Sequence, residues 1–101
     1  MNNTKWDELR MAMYNLGELH PKWRTKNVEK DYLSEWDGEW FYHFRLGGYK
    51  TIEYVEIKVS CKEMRDQVRI ALSSIHVPGR ETEDGFIVYG YTRHSEFIDY
   101  I

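Results

Sequence analysis

The sequence is poor in cysteine, since Cys61 is the only one among 101 residues. A lone thiol excludes an internal disulfide and a zinc site built on several thiolates. Long apolar runs are also missing, and a run such as Phe86–Tyr89 is far too short to cross a bilayer. Because free cysteines are typical of a reducing cytosol, we expect a cytoplasmic protein that does not contact membranes.

An excess of basic residues is absent as well. The chain has 17 acidic and 14 basic side chains, which gives a formal net charge of −3. Proteins that bind nucleic acids usually present a basic surface to the phosphates. The charge balance therefore argues against a nucleic-acid partner.

Motifs that carry chemistry are missing too. The four histidines form neither an H-x-H nor an H-E-x-x-H pattern. Gly47-Gly48 is a turn signal, and no glycine-rich phosphate loop leads into a helix. We therefore expect that the protein is not an enzyme and has no catalytic residues, no metal and no cofactor.

Two residues keep a chemical alternative open. His43 shares a predicted strand face with Glu39, which would allow an acid/base pair, although a structural histidine is the more common case. Cys61 lies at a predicted helix N-terminus, a position where reactive cysteines occur. Sequence spacing assigns no reaction partner to either residue.

The composition is that of a globular protein rich in aromatic residues. Hydrophobic residues make up 42% of the chain, charged residues 31% and aromatic residues 16%. A chain of this length fits one domain with its own core. We therefore predict one domain that spans residues 1–101.

Two amphipathic helices are predicted. The first runs from about Thr4, as N-cap, to Leu16, with apolar residues at spacings of three and four. The second begins at a capping box, with Ser60 as N-cap and Glu63 at the third helical position. Its apolar stripe consists of Met64, Val68, Ala71, Leu72 and Ile75.

The central part of the chain predicts a three-stranded meander. Asp37-Gly38 suits a two-residue hairpin turn, because both central residues of that turn need positive φ. It would join strands at Tyr32–Trp36 and Glu39–Leu46, and Gly47-Gly48 would lead into a third strand at Tyr49–Val59. In this register the core face carries Leu33, Trp40, Tyr42, Phe44, Val55, Ile57 and Val59, and the opposite face carries Tyr32, Trp36, Phe41, His43, Ile52 and Tyr54.

The remaining segments complete the fold class. Residues 22–26 are basic and predict either a loop or a short edge strand. Residues 80–85 predict an acidic loop before a buried strand at Phe86–Thr92, with Gly90 at a bulge or a close contact, and Phe97–Ile101 predicts a last short strand. The prediction is an α+β fold with two helices packed on a mostly antiparallel sheet of four to five strands, in the order αβββαβ(β).

Acidic residues cluster at two places, around the first hairpin and before the last strands. The common interpretation of such clusters is a solvated surface. The functional interpretation is an acidic patch that attracts a basic partner, with Trp36 as an anchor, since binding hot spots favour tryptophan. The residues predicted to bind a partner are Glu35, Trp36, Asp37, Glu39, Glu81, Glu83 and Asp84.

Three segments carry a resemblance to known proteins. TKWDELRMAMYNL near the N-terminus, YLSEWDGEWFYHF from residue 32 and HVPGRETEDGFIVYGY from residue 76 resemble a small family of uncharacterised bacterial cytosolic proteins. Families of this size and composition are similar to immunity proteins of polymorphic toxin systems, including contact-dependent growth inhibition. The resemblance implies an immunity protein that occludes a cognate toxin, and the expected toxin is a nuclease with a basic surface. It assigns no functional residues.

A different function class remains open. The predicted second sheet face is aromatic, which would suit a small-molecule-binding or housekeeping domain with a cavity between that face and the first helix. An exposed aromatic face would equally suit a homodimer. The gene upstream of this one and the shape of the aromatic face distinguish these alternatives.

Overall fold

The structure, a computed structural model, describes residues 1–29, 32–90 and 99–101. It contains two α-helices and a four-stranded antiparallel sheet, which confirms the predicted α+β class. In chain order the helices and strands are α1 (Asn3–Tyr14), β1 (Lys22–Asn27), β2 (Ile52–Lys58), α2 (Lys62–Ile75), β3 (Gly79–Glu81) and β4 (Gly85–Tyr89), with a short 3-10 turn at Gly17–Leu19.

The sheet has the strand order β1-β2-β4-β3, so β1 and β3 are its outer strands. Trp23 lies opposite Ile57, Ile57 opposite Phe86, and Val55 opposite Val88. Opposed residues point to the same side of a sheet. These side chains are buried with those of α1 and α2 in one core, so one face of the sheet is covered by the helices.

Both helices were predicted, but their first residues differ from the prediction. The N-cap of α1 is Asn2, whose side-chain oxygen accepts the N–H of Lys5 at 2.8 Å, so the prediction of Thr4 as N-cap is wrong.

The N-cap of α2 is Cys61, and its side chain makes no capping hydrogen bond. The predicted capping box at Ser60 is therefore also wrong. The predicted apolar stripe is confirmed, with Val68 and Leu72 fully buried.

The predicted Asp37-Gly38 hairpin is wrong. Tyr32–Trp36 and Glu39–Leu46 are not regular strands, and residues 40–47 form consecutive turns. Positive φ occurs at Gly47 and Gly48 but not at Gly38, so Gly38 does not adopt the conformation that a primed turn requires. Of the predicted third strand, Ile52–Lys58 is confirmed as β2, and its antiparallel neighbours are β1 and β4.

Two carboxylates explain why the chain turns at this point. Asp37 Oδ1 accepts the N–H of Glu39 at 2.7 Å. The Glu39 carboxylate then accepts the N–H groups of Phe41, Tyr42 and His43 at 2.6–3.2 Å. Such bonds to nearby backbone groups compete with a strand ladder and favour a turn.

The spacing of the aromatic residues fits these turns. Trp40 and Phe44, four residues apart, are both buried, whereas Tyr42 between them is 61% exposed. The centroids of the two buried rings lie 4.8 Å apart. The centroid of the Trp23 ring lies 6.0 Å from that of Trp40 and 5.1 Å from that of Phe44. The indole N–H of Trp40 donates to the carbonyl of Pro21 at 2.8 Å. Trp40 and Phe44 are thus core residues, as predicted, but Tyr42 is not.

The C-terminal half contains a hairpin that the sequence did not predict. The predicted acidic loop at residues 80–85 is partly strand, because β3 includes Arg80 and Glu81 and pairs with β4. β4 ends at Tyr89, before the predicted end at Thr92, which lies outside the described residues. Of the predicted last strand, Phe97 and Ile98 also lie outside them, whereas Tyr100 forms a bridge with Pro78.

Gly90 follows β4 at a close approach, as predicted. A Cβ atom on Gly90 would lie 2.3 Å from the carbonyl oxygen of Ile52 and 2.8 Å from the Trp6 ring. Within the described part of the chain, the helices are too short or too polar to span a membrane.

Candidate partner-binding groove

The face of the sheet that points away from the helices is rich in cations. We call it the open face. Its outward positions alternate with the buried ones, as expected for a sheet that is covered on one side. Five of the outward side chains are cationic, at Lys22, Arg24, Lys26, Lys58 and Arg80, and the others include Tyr54, Ile87 and Tyr89. Two carboxylates accompany them, because Glu56 lies 2.9 Å from Arg24 and Glu53 lies 3.6 Å from Lys26.

A groove of about 410 Å³ lies on this face, and we call it the Trp36 groove. It is open to solvent and crosses from the segment before residue 37 to the β3–β4 turn. Four sections of the chain contribute to it, and its lining residues are Arg24, Trp36, Glu56, Ile57, Lys58, Thr82, Asp84, Phe86 and Ile87.

Trp36 is held in place by a segment that runs beside β1. Asp37 and Trp23 exchange both backbone hydrogen bonds at 2.8 Å. Ser34 donates its N–H to the carbonyl of Thr25 at 3.0 Å, and its hydroxyl oxygen accepts the N–H of Thr25 at 2.9 Å. Trp36 therefore lies opposite Arg24, with its side chain on the open face.

Two cations lie over the indole ring of Trp36. The central guanidinium carbon of Arg24 is 4.4 Å from the ring centroid, and the Lys58 ammonium nitrogen is 5.4 Å from it. Arg24 is also paired with Glu56, whose Oε2 accepts from Nε at 3.0 Å and lies 2.9 Å from Nη2. The result is a half-buried aromatic surface with a positive border.

Asp37 and Glu39, both predicted to bind a partner, are engaged in hydrogen bonds within the protein. Asp37 Oδ2 lies 2.9 Å from Nδ1 of His43. The N–H of His43, with those of Tyr42 and Phe41, lowers the pKa of Glu39 below its ordinary value, because these donors favour the charged carboxylate. The sequence analysis did not identify these hydrogen bonds, which hold both carboxylates in place.

Glu81 is also engaged within the protein. Its carboxylate binds Arg69 at 2.7 and 3.1 Å and Arg65 at 2.8 Å. These hydrogen bonds, led by that of Arg69, lower the pKa of Glu81. Arg65 also donates to the carbonyls of Thr82 and Glu83, so this cluster joins α2 to the β3–β4 turn.

The other predicted residues are available to a partner. Glu35 and Glu83 are exposed, and in the described part of the chain their carboxylates accept no hydrogen bond. Trp36 and Asp84 line the same groove although 48 positions separate them in the sequence. The structure thus brings together one residue from each of the two predicted binding clusters.

The predicted aromatic face is not continuous. Of its six residues only Trp36 lines this groove, and Ile52 is buried in the core. Phe41 packs at 5.2 Å from Tyr14 and at 4.8 Å from Tyr42. A cavity of about 480 Å³ does lie beside the end of α1, at Tyr14 and Asn15, but none of the six residues lines it. Residues 1–29, 32–90 and 99–101 contain no group of three or more histidine, cysteine or carboxylate side chains arranged to hold a metal.

Arg24 and Lys58 were not predicted as site residues, although the sequence contained a signal for Arg24. Residues 22–26 read Lys-Trp-Arg-Thr-Lys, in which cations alternate with Trp23 and Thr25. As a strand, this alternation places all the cations on one face. The same basic composition also suits a loop, so the sequence alone does not determine that these cations share a face.

Comparison with known proteins gives a family and no established function. Residues 1–95 match the profile of DUF6678, a family of unknown function. No match was found among curated proteins or among solved structures. Since the match covers nearly the whole sequence, the chain belongs to the family DUF6678.

Proposed function

We propose that the protein acts by binding a protein partner, and that it is an immunity protein which occludes a cognate toxin in the bacterial cytoplasm. The observation that carries the proposal is the Trp36 groove. It combines Trp36 and Asp84, one from each predicted binding cluster, on an open surface. The proposed partner is a nuclease of a contact-dependent growth inhibition system.

The groove has the features of a binding hot spot. Tryptophan dominates such sites because it buries a large, rigid surface and fixes few torsion angles. Arg24 stacks on the Trp36 ring and is itself held by Glu56, so the ring is ordered before a partner arrives. A preordered side chain reduces the entropy lost on binding.

The acidic contribution comes from fewer residues than the sequence predicted. Asp37, Glu39 and Glu81 are engaged inside the protein, which leaves Glu35, Glu83 and Asp84 to attract a basic surface. A nuclease holds phosphates with basic residues, so these three carboxylates would favour rapid association with it. Protection of the cell would require a dissociation constant near 1 nM, which corresponds to about −12 kcal/mol.

Co-expression with the product of the gene immediately upstream tests this function. If that product is a toxin, its expression alone should arrest growth, and co-expression of this chain should restore it. The Trp36→Ala variant should restore growth poorly, whereas Tyr42→Ala, a change of an exposed aromatic residue outside the groove, should protect fully. A harmless upstream product, or full protection by Trp36→Ala, would refute the proposal.

A small-molecule-binding function is the second candidate, and the size of the groove favours it. A volume of about 410 Å³ lies within the range of roughly 300–1,000 Å³ found for ligand pockets. Native mass spectrometry of the protein purified from its own cells tests this candidate. It predicts a bound compound that is lost in Trp36→Ala and kept in Tyr42→Ala.

A further inference from the structure

Two lysines lie directly opposite each other at one end of the open face. Lys22 on β1 pairs with Lys58 on β2, and both side chains are exposed. Like charges that face each other across neighbouring strands destabilise a sheet. In the described part of the chain neither ammonium group has a carboxylate within ion-pair distance, so no anion offsets this repulsion, although Lys58 lies 5.4 Å from the Trp36 ring.

The neighbouring pair on the same two strands is arranged differently. Arg24 lies opposite Glu56, and the two side chains form a salt bridge at 2.9 Å. The open face thus places a carboxylate next to one cation and leaves the adjoining pair of cations without one. Lys58 also lines the Trp36 groove, so the uncompensated charge adjoins the proposed binding surface.

We propose that Lys22 and Lys58 form a carboxylate-binding subsite, filled by an acidic side chain of the bound protein. This inference rests on the proposed function, because it names the chemistry of the partner at that same groove. A carboxylate between the two ammonium groups would accept charge-assisted hydrogen bonds from both and would relieve their repulsion. An apolar group next to that carboxylate would contact the indole ring of Trp36.

The surrounding charges favour a single carboxylate over a polyanion. Glu56 and Asp84 line the same groove, and they would repel the successive phosphates of a nucleic acid. The formal net charge of −3 also opposes binding of a polyanion. A protein segment can place one acidic residue at the lysines and different residues at Asp84, which a uniformly charged strand cannot do.

Titration of the full chain with peptides, followed by nuclear magnetic resonance, tests the subsite. The probe is the capped peptide acetyl-Gly-Glu-Phe-Glu-Gly-amide, and its control replaces both glutamates with glutamine. We expect the acidic peptide to shift the amide resonances of Lys22 and Lys58 and the indole resonance of Trp36 in a saturable way. The glutamine peptide should bind more weakly by about tenfold, as expected for loss of a charge-assisted contact.

Variants of the protein give the matched comparison. The double variant Lys22→Gln/Lys58→Gln should lose about tenfold in affinity for the acidic peptide. Lys50→Gln/Lys62→Gln removes the same charge from exposed positions outside the groove and should bind as the wild type does. Equal affinity in the two double variants, or no saturable shift in the wild type, would overturn the subsite.

A single-stranded thymidine oligonucleotide serves as the nucleic-acid probe. Tighter binding of the oligonucleotide than of the acidic peptide at the same resonances would overturn the assignment to a carboxylate.

The subsite and the proposed function can be refuted separately. If the upstream gene product does not bind but the peptide does, the immunity function falls and the subsite stands. If the product binds wild type and Lys22→Gln/Lys58→Gln equally, the subsite falls and the function stands.

Discussion

The guanidinium group of Arg24 lies over the indole ring of Trp36, with its central carbon 4.4 Å from the ring centroid. Arg24 also donates from Nε to Glu56 at 3.0 Å, so a salt bridge on the open face fixes the cation that holds the ring. A contact of this kind orients a tryptophan without burying it in the core. Trp36 thereby lines the open groove, whereas Trp6, Trp23 and Trp40 form part of the core.

Trp40 is predicted to be one of the largest single contributors to stability. It is 1% exposed, packs against Phe44 and donates a hydrogen bond to Pro21. Trp40→Ala should lower the free energy of unfolding by about 3–5 kcal/mol. Urea denaturation measures this change, with Tyr42→Ala as the exposed control, expected within about 0.5 kcal/mol of wild type. A loss below about 1 kcal/mol for Trp40→Ala would contradict the burial seen here.

Glu39 is predicted to stabilise the turns at residues 40–47. Its carboxylate accepts three backbone N–H groups, so Glu39→Ala should cost roughly 0.5–2 kcal/mol, as loss of an N-cap does. The exposed Glu35, whose carboxylate accepts no hydrogen bond in the described residues, provides the control Glu35→Ala, which should be nearly neutral. Urea denaturation of the two variants makes the comparison.

The pH dependence of this effect follows from the lowered pKa of Glu39. Because the folded-state pKa lies below that of the unfolded chain, the stabilisation is complete above the unfolded value of about 4.3. It is lost as the pH falls through the folded-state pKa. The difference in stability between wild type and Glu39→Gln should therefore shrink on acidification from about pH 7 to about pH 3. A constant difference would show that the charge of Glu39 does not contribute.

Two glycines should respond differently to the addition of a methyl group. Gly90→Ala places a Cβ 2.3 Å from the carbonyl oxygen of Ile52, a backbone atom that cannot move aside, and should cost about 1–3 kcal/mol. At Gly38 the nearest atom is Nε2 of His20 at 3.6 Å, which is ordinary contact, so Gly38→Ala should be tolerated. Thermal melting of both variants tests this order, and a reversed order would contradict the structure.

The lysine pair makes a prediction about stability that is independent of any partner. Lys22→Glu converts a like-charge pair with Lys58 into an opposite-charge pair. Such pairs contribute about 0.2–1 kcal/mol, so Lys22→Glu should raise the free energy of unfolding by that amount. Lys50→Glu, an exposed change outside the sheet, serves as the control for net charge. A gain that is equal in both variants would show that the cross-strand pairing is not its cause.

The sequence predicted the parts of the fold in which the apolar residues recur at one clear spacing, either that of a helix or that of a strand. The apolar stripe of α2 has clear helical spacing, and Val68 and Leu72 lie in the core as expected. The strand β2 alternates between buried and outward residues, which identified Val55 and Ile57 correctly. The spacing of apolar residues is sufficient to predict these segments, because the apolar side of each one is the side that packs on the core.

The segment between β1 and β2 could not be predicted from local signals. Asp37-Gly38 is a strong hairpin pattern, but the carboxylates of Asp37 and Glu39 accept nearby N–H groups and turn the chain before a second strand can form. Trp40 and Phe44 then reach the core at a spacing of four. Because residues 40, 41 and 42 are all aromatic, the spacing of four cannot be recognised from the sequence alone.

The candidate site was only partly predictable for the same reason. Trp36 and Asp84 were identified from composition, but their shared groove depends on how the segment at residues 33–37 lies beside β1. The sequence also did not indicate which of the predicted acidic residues bind partners inside the fold. Glu81 shows this most clearly, since Arg65 and Arg69 come from α2, which sequence spacing does not place beside it.

Calorimetric titration of the upstream gene product with wild type and Trp36→Ala tests the central claim most directly. We predict that Trp36→Ala loses at least about 2 kcal/mol of binding free energy, a roughly 30-fold rise in the dissociation constant. Its melting temperature should stay close to that of the wild type, because Trp36 lies outside the buried core. A dissociation constant for Trp36→Ala equal to that of the wild type would show that the groove is not the contact surface.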